Sequence, residues 1–340
     1  MKAVRYYGPG KPLRVEEVET PKIGDNELLV KVKSAGICHT DLHFLDGTLT
    51  PWKGELPITL GHEISGEIIE VGKNVNKFKA GDRVVLSNNV GCGKCNYCKT
   101  GRQNLCIDLD QHGFTIDGGY AELIKTVEST LVKLPEDVSY EAGSVITCAG
   151  ASVYHGLIDI AELQKGETLM INGFGGLGSN ALQIGKYFGA KTLVTDISDE
   201  KLKLAKELGS DATINAATSN VGEEVRKLTG GRGADVILEL VGTKKAMENS
   251  LSSLGKMGRY VIMGYTKDKL EVSPLNLVVG EIKVLGSVSY TNQDLENVVK
   301  LAHEKKINPV ISRIFRLEDV PEALKLMKEG KIIGRTVAKP

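Results

Sequence analysis

The sequence predicts an α/β protein in which a β-rich N-terminal region is followed by a parallel sheet covered by helices. Three observations predict it. Up to about residue 130 the chain alternates in short runs broken by Gly, Pro and Asn, the texture of a barrel-like β domain. From about residue 150 the rhythm becomes strand, helix, strand, which implies parallel strands. A glycine-rich turn, Gly173-Phe174-Gly175-Gly176-Leu177-Gly178, sits at the first strand-to-helix junction of that second region.

In the first region, strands are expected at Leu28–Val32, Ile64–Val71 and Arg83–Leu86, with turns at Gly24-Asp25-Asn26 and Gly81-Asp82. In the second, a strand at Thr168–Asn172 leads into a helix at Gly176–Phe188, closed by Gly189. A strand at Lys191–Thr195 precedes a helix from Asp199 to Leu208, with Ser198 as N-cap and Gly209 as stop. Further strands are expected at Val236–Leu240 and Arg259–Met263. Beyond about residue 288 the pattern is helical and ends in a strand-like Arg335–Ala338. The expected division is 1–149, with a cysteine lobe at 91–107, then 150–287, then a return to the first domain over 288–340.

A chain of 340 residues has room for two domains. Its formal net charge is zero, which removes the electrostatic case for a nucleic acid or an anionic membrane as partner. Met1-Lys2-Ala3-Val4-Arg5 carries charge where a signal peptide needs an apolar run, and no stretch reaches transmembrane length. A cytoplasmic protein is therefore expected, with reduced thiols that serve as ligands more readily than as disulfides.

The glycine turn has a strand before it, a helix after it and an acid, Asp196, at the end of the next strand. In that setting Gly173 permits the tight turn, Gly175 lets a pyrophosphate approach the backbone, and Gly178 allows close packing of the helix. Asp196 would accept hydrogen bonds from the adenosine ribose and repel a 2′-phosphate, which favours NAD over NADP, with Lys201 able to relieve that repulsion. The alternative is a glycine-rich turn with Asp196 merely capping the next helix.

The six cysteines divide into two sets. Cys92, Cys95, Cys98 and Cys106 are spaced two, two and seven residues apart among Gly91, Gly93, Asn96 and Gly101, a loop able to wrap a small ion. Four thiolates make a closed, structural zinc site. Cys38 and Cys148 are far apart in sequence and make chemical sense if the fold brings them to His62, since two thiolates and an imidazole leave a fourth tetrahedral position open. Taken singly, Cys148 reads as a small buried hydrophobe.

Several segments together resemble the zinc-dependent alcohol dehydrogenases of the medium-chain dehydrogenase/reductase superfamily. They are Cys38-His39-Thr40-Asp41-Leu42-His43, Gly61-His62-Glu63 with Gly66 and Gly72, the four-cysteine lobe, Cys148-Ala149-Gly150, the turn Gly173–Gly178 and Gly334-Arg335, in family order over the whole chain. The resemblance implies a GroES-like β-rich catalytic domain plus a Rossmann domain with a doubly wound parallel sheet. It implies two zinc ions per subunit, one catalytic on Cys38, His62 and Cys148 and one structural, with NAD as the cofactor. Thr40 corresponds to the first proton-relay hydroxyl, and His43 to the relay's outer end, reached through the cofactor ribose. Asp41 corresponds to the carboxylate that holds the free nitrogen of His62, and Glu63 to a group beside the metal that either ligates transiently or orients its surroundings. His39 and Arg335 match positions facing the cofactor pyrophosphate, Ser152 one lining the nicotinamide, and Leu177 one packing behind it.

The resemblance further implies hydride transfer between a primary or secondary alcohol and its aldehyde or ketone. Polyol-type relatives tend to carry Glu in place of Cys148, which favours the alcohol branch. A dehydrogenase of a larger hydroxylated metabolite, such as a hydroxyacyl thioester or a sugar, is the nearest rival, and a zinc-binding regulatory module a distant one. Trp52, Phe44 and Leu86–Val90 are candidates to line the pocket, and Tyr290, where a glycine is expected, to narrow it or alter subunit packing. A homotetramer or homodimer is expected, with the strand around Ile282–Ser287 pairing across a dimer axis.

Overall fold

Glu27–Ile37, the longest strand, organises the first part of the molecule. In the computed structural model, which describes Met1 to Pro340, the chain forms two compact units. The first contains Met1–Ala151, Tyr290–Lys305 and Pro309–Pro340, and the second Ser152–Ser289 with Lys306–Asn308.

In the first unit a seven-stranded sheet runs in the order Leu131–Lys133, Arg83–Leu86, Glu63–Val71, Glu27–Ile37, Arg335–Lys339, Ile311–Arg316, with Leu123–Val127 also paired to Glu27–Ile37. The central strand runs on to Ile37, past the expected Val32, because its far end finds a second partner: Ala35, Gly36 and Ile37 lie opposite Ala338, Val337 and Thr336. Its other side pairs antiparallel with Glu63–Val71. Val30, Ile37, Ile64, Ile68, Leu86 and Phe44 fill the core against these strands. Each such burial contributes about 1.5–3 kcal/mol. The segment after 288 holds helices at Asn292–His303 and Val320–Lys328, but between them lies an unexpected strand, Ile311–Arg316. Its alternation is masked by Arg313 and Arg316, which an edge strand leaves exposed.

The second unit is built on a six-stranded parallel sheet in the order Ala212–Asn215, Lys191–Asp196, Thr168–Asn172, Ala234–Glu239, Leu254–Ile262, Lys283–Gly286. All five residues of the strand Thr168–Asn172 are buried, as a central parallel strand requires. The helix that follows spans Gly176–Tyr187, and the next, Asp199–Glu207, is capped by Ser198, whose side chain accepts the Lys201 N–H. The topology is doubly wound, and the glycine turn lies where the strand order reverses.

Candidate active site and metal centres

Sheet register assembles a site within the first unit. Gly36 lies opposite Glu63, and Ile37 opposite Thr336. Cys38, just past the end of one strand, His62, just before the start of the next, and Arg335, at the start of the third, are therefore neighbours. Gly36 is required here, since a Cβ would fall 1.9 Å from Glu63 Oε2. Cys148 arrives on a π-helical turn, Ile146–Gly150, that follows the helix Tyr140–Val145 packed on the two long strands. Single π turns inside helices frequently mark functional positions.

One donor atom each from Cys38, His62, Glu63 and Cys148 lies within 4.8 Å of the others. That is the size of a tetrahedral cage, whose edges are about 3.8 Å for Zn–S bonds of about 2.3 Å. Two of the donors are soft sulfurs and one is an imidazole, a combination that suits zinc, and apart from the partly exposed Cys148 the set is buried. Cys38 is held well below its ordinary pKa by the Cys148 thiol, which donates to it against the cost of burial, and then by Arg335 and His62. Cys148 is pushed well up by that same bond and by burial. Of the pair, Cys38 is the thiol that favours its anionic form, and a dication would draw off the Cys148 proton as well. Burial lowers the pKa of His62, but the Cys38 and Asp41 charges outweigh it and hold the imidazole well above its ordinary value. The residues present therefore fit a zinc ion.

Glu63 and Arg335 form a two-pronged buried pair, Nε to Oε2 at 3.1 Å and Nη2 to Oε1. Burial pushes the Glu63 carboxyl up to about 7, with Arg335 opposing the rise. Arg335, expected to face a pyrophosphate, has only 6% of its side chain exposed. The physical reason is the desolvated carboxylate beside two thiols, which needs a charge partner.

The short helix His39–Leu45 carries Thr40, Asp41 and His43, the residues expected to serve as relay and support. Cys38 caps it, and its N–H donates to Asp41 Oδ2 at 3.1 Å. Thr40 Oγ1 lies 3.5 Å from Cys38 Sγ, so the hydroxyl stands beside the cage. His43 is half-buried with its ring edge-on to His39, 5.6 Å between centroids. Burial lowers the His43 pKa, helped by the neighbouring His39 charge. His39 itself is exposed. Asp41 is fully buried and its Oδ1 faces His62 Nδ1 at 3.6 Å, leaving Nε2 of His62 for a metal.

Two residues that sequence reasoning passed over complete the surroundings. Tyr120 donates to Asp41 Oδ2 at 2.6 Å. Phe114 stands edge-on to His62 at 5.1 Å and also contacts Phe44 and Trp52. Phe44 is sealed in the core, so it does not line an open pocket, whereas Trp52 is 52% exposed. Tyr290 is likewise enclosed within the first unit. Its hydroxyl accepts the Asn88 N–H at 3.4 Å and its carbonyl accepts Asn89 Nδ2 at 3.0 Å, so it braces the segment 87–89.

The second cysteine set is assembled locally. Cys92, Cys95 and Cys98 are half-buried, Cys106 is buried, and the four sulfurs lie within 4.8 Å of one another. Cys95 and Cys106 are 3.9 Å apart, the edge of a zinc tetrahedron. Backbone N–H groups of Cys98 and Ile107 pull the Cys95 thiol down to about 6, while desolvation pushes Cys98 up to about 12.

In the second unit Gly173 has φ of +100°, and a Cβ on Gly178 would fall 2.3 Å from the Gly173 carbonyl oxygen. Beside Gly175 there is open space. Asp196 Oδ2 accepts the Phe174 N–H of the turn at 2.7 Å, and Oδ1 accepts the Ser198 N–H at 3.0 Å, with Lys201 Nζ 3.8 Å away. The acid thus ties the turn and also braces the next helix start. Gly176 begins the helix and is buried, Leu177 is half-buried, and Ser152 is buried.

Two family models match the chain. One, described as an alcohol dehydrogenase GroES-like domain, covers residues 24–136. The other, described as a zinc-binding dehydrogenase, covers residues 176–304. An NAD-dependent alcohol dehydrogenase of Sulfolobus acidocaldarius is 38% identical over 347 aligned residues, spanning 100% of this chain and 99% of the relative. An alcohol dehydrogenase of Geobacillus stearothermophilus is 36% identical over 330 residues, 97% of this chain and 96% of its own. The crystal structure of the alcohol dehydrogenase from the archaeon Aeropyrum pernix has a TM-score of 0.94 at 34% identity, with both chains covered in full.

Proposed function

Because this chain belongs to the zinc-type alcohol dehydrogenases of the medium-chain dehydrogenase/reductase superfamily, we infer that it moves a hydride between an alcohol and NAD(H). The observation that carries the reading is the convergence of Cys38, His62, Glu63 and Cys148 within 4.8 Å. Cys38, Cys148 and Nε2 of His62 would hold the catalytic metal. Bound there, zinc supplies a Lewis acid that eases loss of the alcohol's proton. The four lobe cysteines would hold a second, structural ion.

The chain's own residues account for the remaining steps. Thr40, whose Oγ1 lies 3.5 Å from Cys38 Sγ, would take up the alcohol's proton while releasing its own hydroxyl proton along the relay toward His43. His43, kept neutral near pH 7 by a pKa that burial depresses, is the base at the solvent end. Asp41 Oδ1, 3.6 Å from His62 Nδ1, would accept that N–H with a small approach and so fix the tautomer. Glu63 orients the surroundings of the metal as the partner of Arg335, which is assigned to the cofactor pyrophosphate on the strength of the family pattern alone. Phe114, with Trp52 beside it, forms an apolar wall next to the ligand His62 that suits the alkyl group of a small alcohol. The glycine turn, with Gly176 opening its helix, receives the pyrophosphate, and Asp196 receives the ribose, favouring NAD. His39, Ser152 and Leu177 are assigned to the cofactor on the strength of the family pattern alone.

Two broader features belong to the same reading. No helix is long and apolar enough to cross a membrane, and a cytoplasmic setting suits six free thiols. The edge strand Lys283–Gly286 and the helix Pro274–Gly280 expose Val284, Leu275, Val278 and Val279, which supports pairing with a second copy in a homodimer or homotetramer. Sedimentation would test that assembly.

The central test is metal content per subunit, for the wild type and Cys148→Ala, with NADH formation across an alcohol panel. Two zincs falling to one with activity lost is the expected result. One zinc in both proteins with activity retained overturns the catalytic assignment.

A further inference from the structure

Asp41 is fully buried and beyond the reach of water, so its orientation depends on what its two oxygens meet. Oδ2 accepts two hydrogen bonds, from the Cys38 N–H at 3.1 Å and from the Tyr120 hydroxyl at 2.6 Å. Oδ1 has no hydrogen-bond partner and faces His62 Nδ1, itself unpartnered, at 3.6 Å. With Oδ2 pinned from two directions, the carboxylate cannot turn about its own axis. Only Oδ1 is left for the imidazole.

Tyr120 is tied to the His62 segment in two further ways. Its N–H donates to the Leu60 carbonyl at 3.0 Å, so the backbones run together. Its ring lies against Gly61, where a Cβ would come 2.6 Å from a ring carbon. The phenol pKa is raised well above its usual value by burial and by the Asp41 charge, so the hydroxyl keeps its proton and always donates.

We propose that Tyr120 is a positioning residue for the catalytic metal: its hydroxyl locks Asp41 so that Oδ1 holds Nδ1 of His62 and Nε2 is presented to the ion. This rests on the assignment of Cys38, His62 and Cys148 as the catalytic ligands. The chain is Tyr120 to Asp41 to His62 to metal, and Tyr120 touches neither substrate nor ion. Loss of an outer partner of a metal-bound imidazole typically weakens metal binding about 10–100-fold. A group one link further out belongs at the low end, so about tenfold faster zinc release is expected for Tyr120→Phe.

The test follows zinc release from the loaded protein to a chromogenic chelator, in wild type, Tyr120→Phe, Asp41→Asn and the double variant. Cys148→Ala identifies which kinetic phase is the catalytic ion, and the lobe ion serves as an internal control. The expected result is a catalytic phase about tenfold faster in Tyr120→Phe, an unchanged lobe phase, and a double variant no faster than Asp41→Asn. The cobalt-substituted catalytic site of Tyr120→Phe should also show a shifted d–d absorption. Two zincs per subunit released from Tyr120→Phe at wild-type rates overturns the role of Tyr120 alone. So does a double variant whose effects multiply, or acceleration of both phases together, since each means that Tyr120 acts on the fold and not through Asp41. A wild type that carries only the lobe zinc overturns both this inference and the ligand assignment beneath it.

Discussion

The two cysteine sites of this chain hold the same kind of donor by opposite means. The lobe at Cys92–Cys106 is half-open to solvent, and its sulfurs are tuned by nearby backbone: Cys92 N–H and Asp108 N–H reach Cys106 Sγ at 3.2 and 3.4 Å, and Cys98 N–H reaches Cys95 Sγ at 3.5 Å. The Cys38 site is buried, and its donors are tuned by side chains: a thiol, an imidazole, a carboxylate and a guanidinium that meet through sheet register. A closed four-sulfur cage needs only a flexible loop. A site with one position left for substrate needs every remaining donor held by something else, and that support comes from across the fold.

The sharpest way to break the comparison is to remove one donor from each site. His62→Ala should lower kcat/KM by roughly a thousandfold or more, as expected when a Lewis acid worth several kcal/mol is lost, a loss of activity out of proportion to the fall in thermal midpoint that the cavity beside Asp41 also causes. Cys95→Ala should do the reverse. Loss of a structural zinc costs folding energy, so its midpoint should fall by roughly 10 °C, while activity per folded molecule at room temperature stays within a few-fold. Differential scanning calorimetry beside NADH assays reads both. Equal losses of activity in the two variants would erase the distinction.

Gly61→Ala should give an intermediate effect. The residue has φ of +87° and the new methyl would press on Tyr120, so about 1–3 kcal/mol of stability should be lost. Chemical denaturation measures it, and zinc loss should come first from the buried site. The smallest expected effect is on pH. Zinc binding requires thiolates, and Cys95, depressed to about 6, remains ionised above that value and takes up a proton below it. Because Cys98, pushed up to about 12, must give up its proton to the metal, zinc affinity of the lobe should climb with pH above 6 and fall more steeply beneath it, where Cys95 takes up a proton as well, as zinc titrations at stepped pH would show.

The same contrast governs what the sequence disclosed. The lobe could be read from spacing alone, because its four ligands sit within one loop. The glycine turn was legible for the same reason, with strand, turn, helix and acid in close order. The catalytic donors needed family order to be joined, since nothing local links Cys38 to Cys148. Tyr120 was out of reach, because its partner Asp41 lies 79 residues away in sequence and the contact depends on a glycine at 61. The π turn under Cys148 has no residue signature, as its wider hydrogen bonding reflects packing. The pairing of Arg335 with Glu63 was equally out of reach, since the two lie 272 residues apart and meet only through sheet register.

Three glycines crowd behind His62: a Cβ on Gly118 would strike the Gly61 carbonyl oxygen at 2.2 Å, one on Gly113 the same oxygen at 2.7 Å, and one on Gly61 the Tyr120 ring at 2.6 Å. Positions 61, 113, 118 and 120 therefore form a single steric unit in which no member can enlarge alone. A smaller residue at 120 would make room at 61, but the obstacle at 113 and 118 is the backbone of Gly61, which no side-chain exchange removes. A mutant library that varies the three glycines one at a time would register all of them as immutable, whereas one that also carries a smaller residue at 120 would release position 61 alone and leave 113 and 118 fixed.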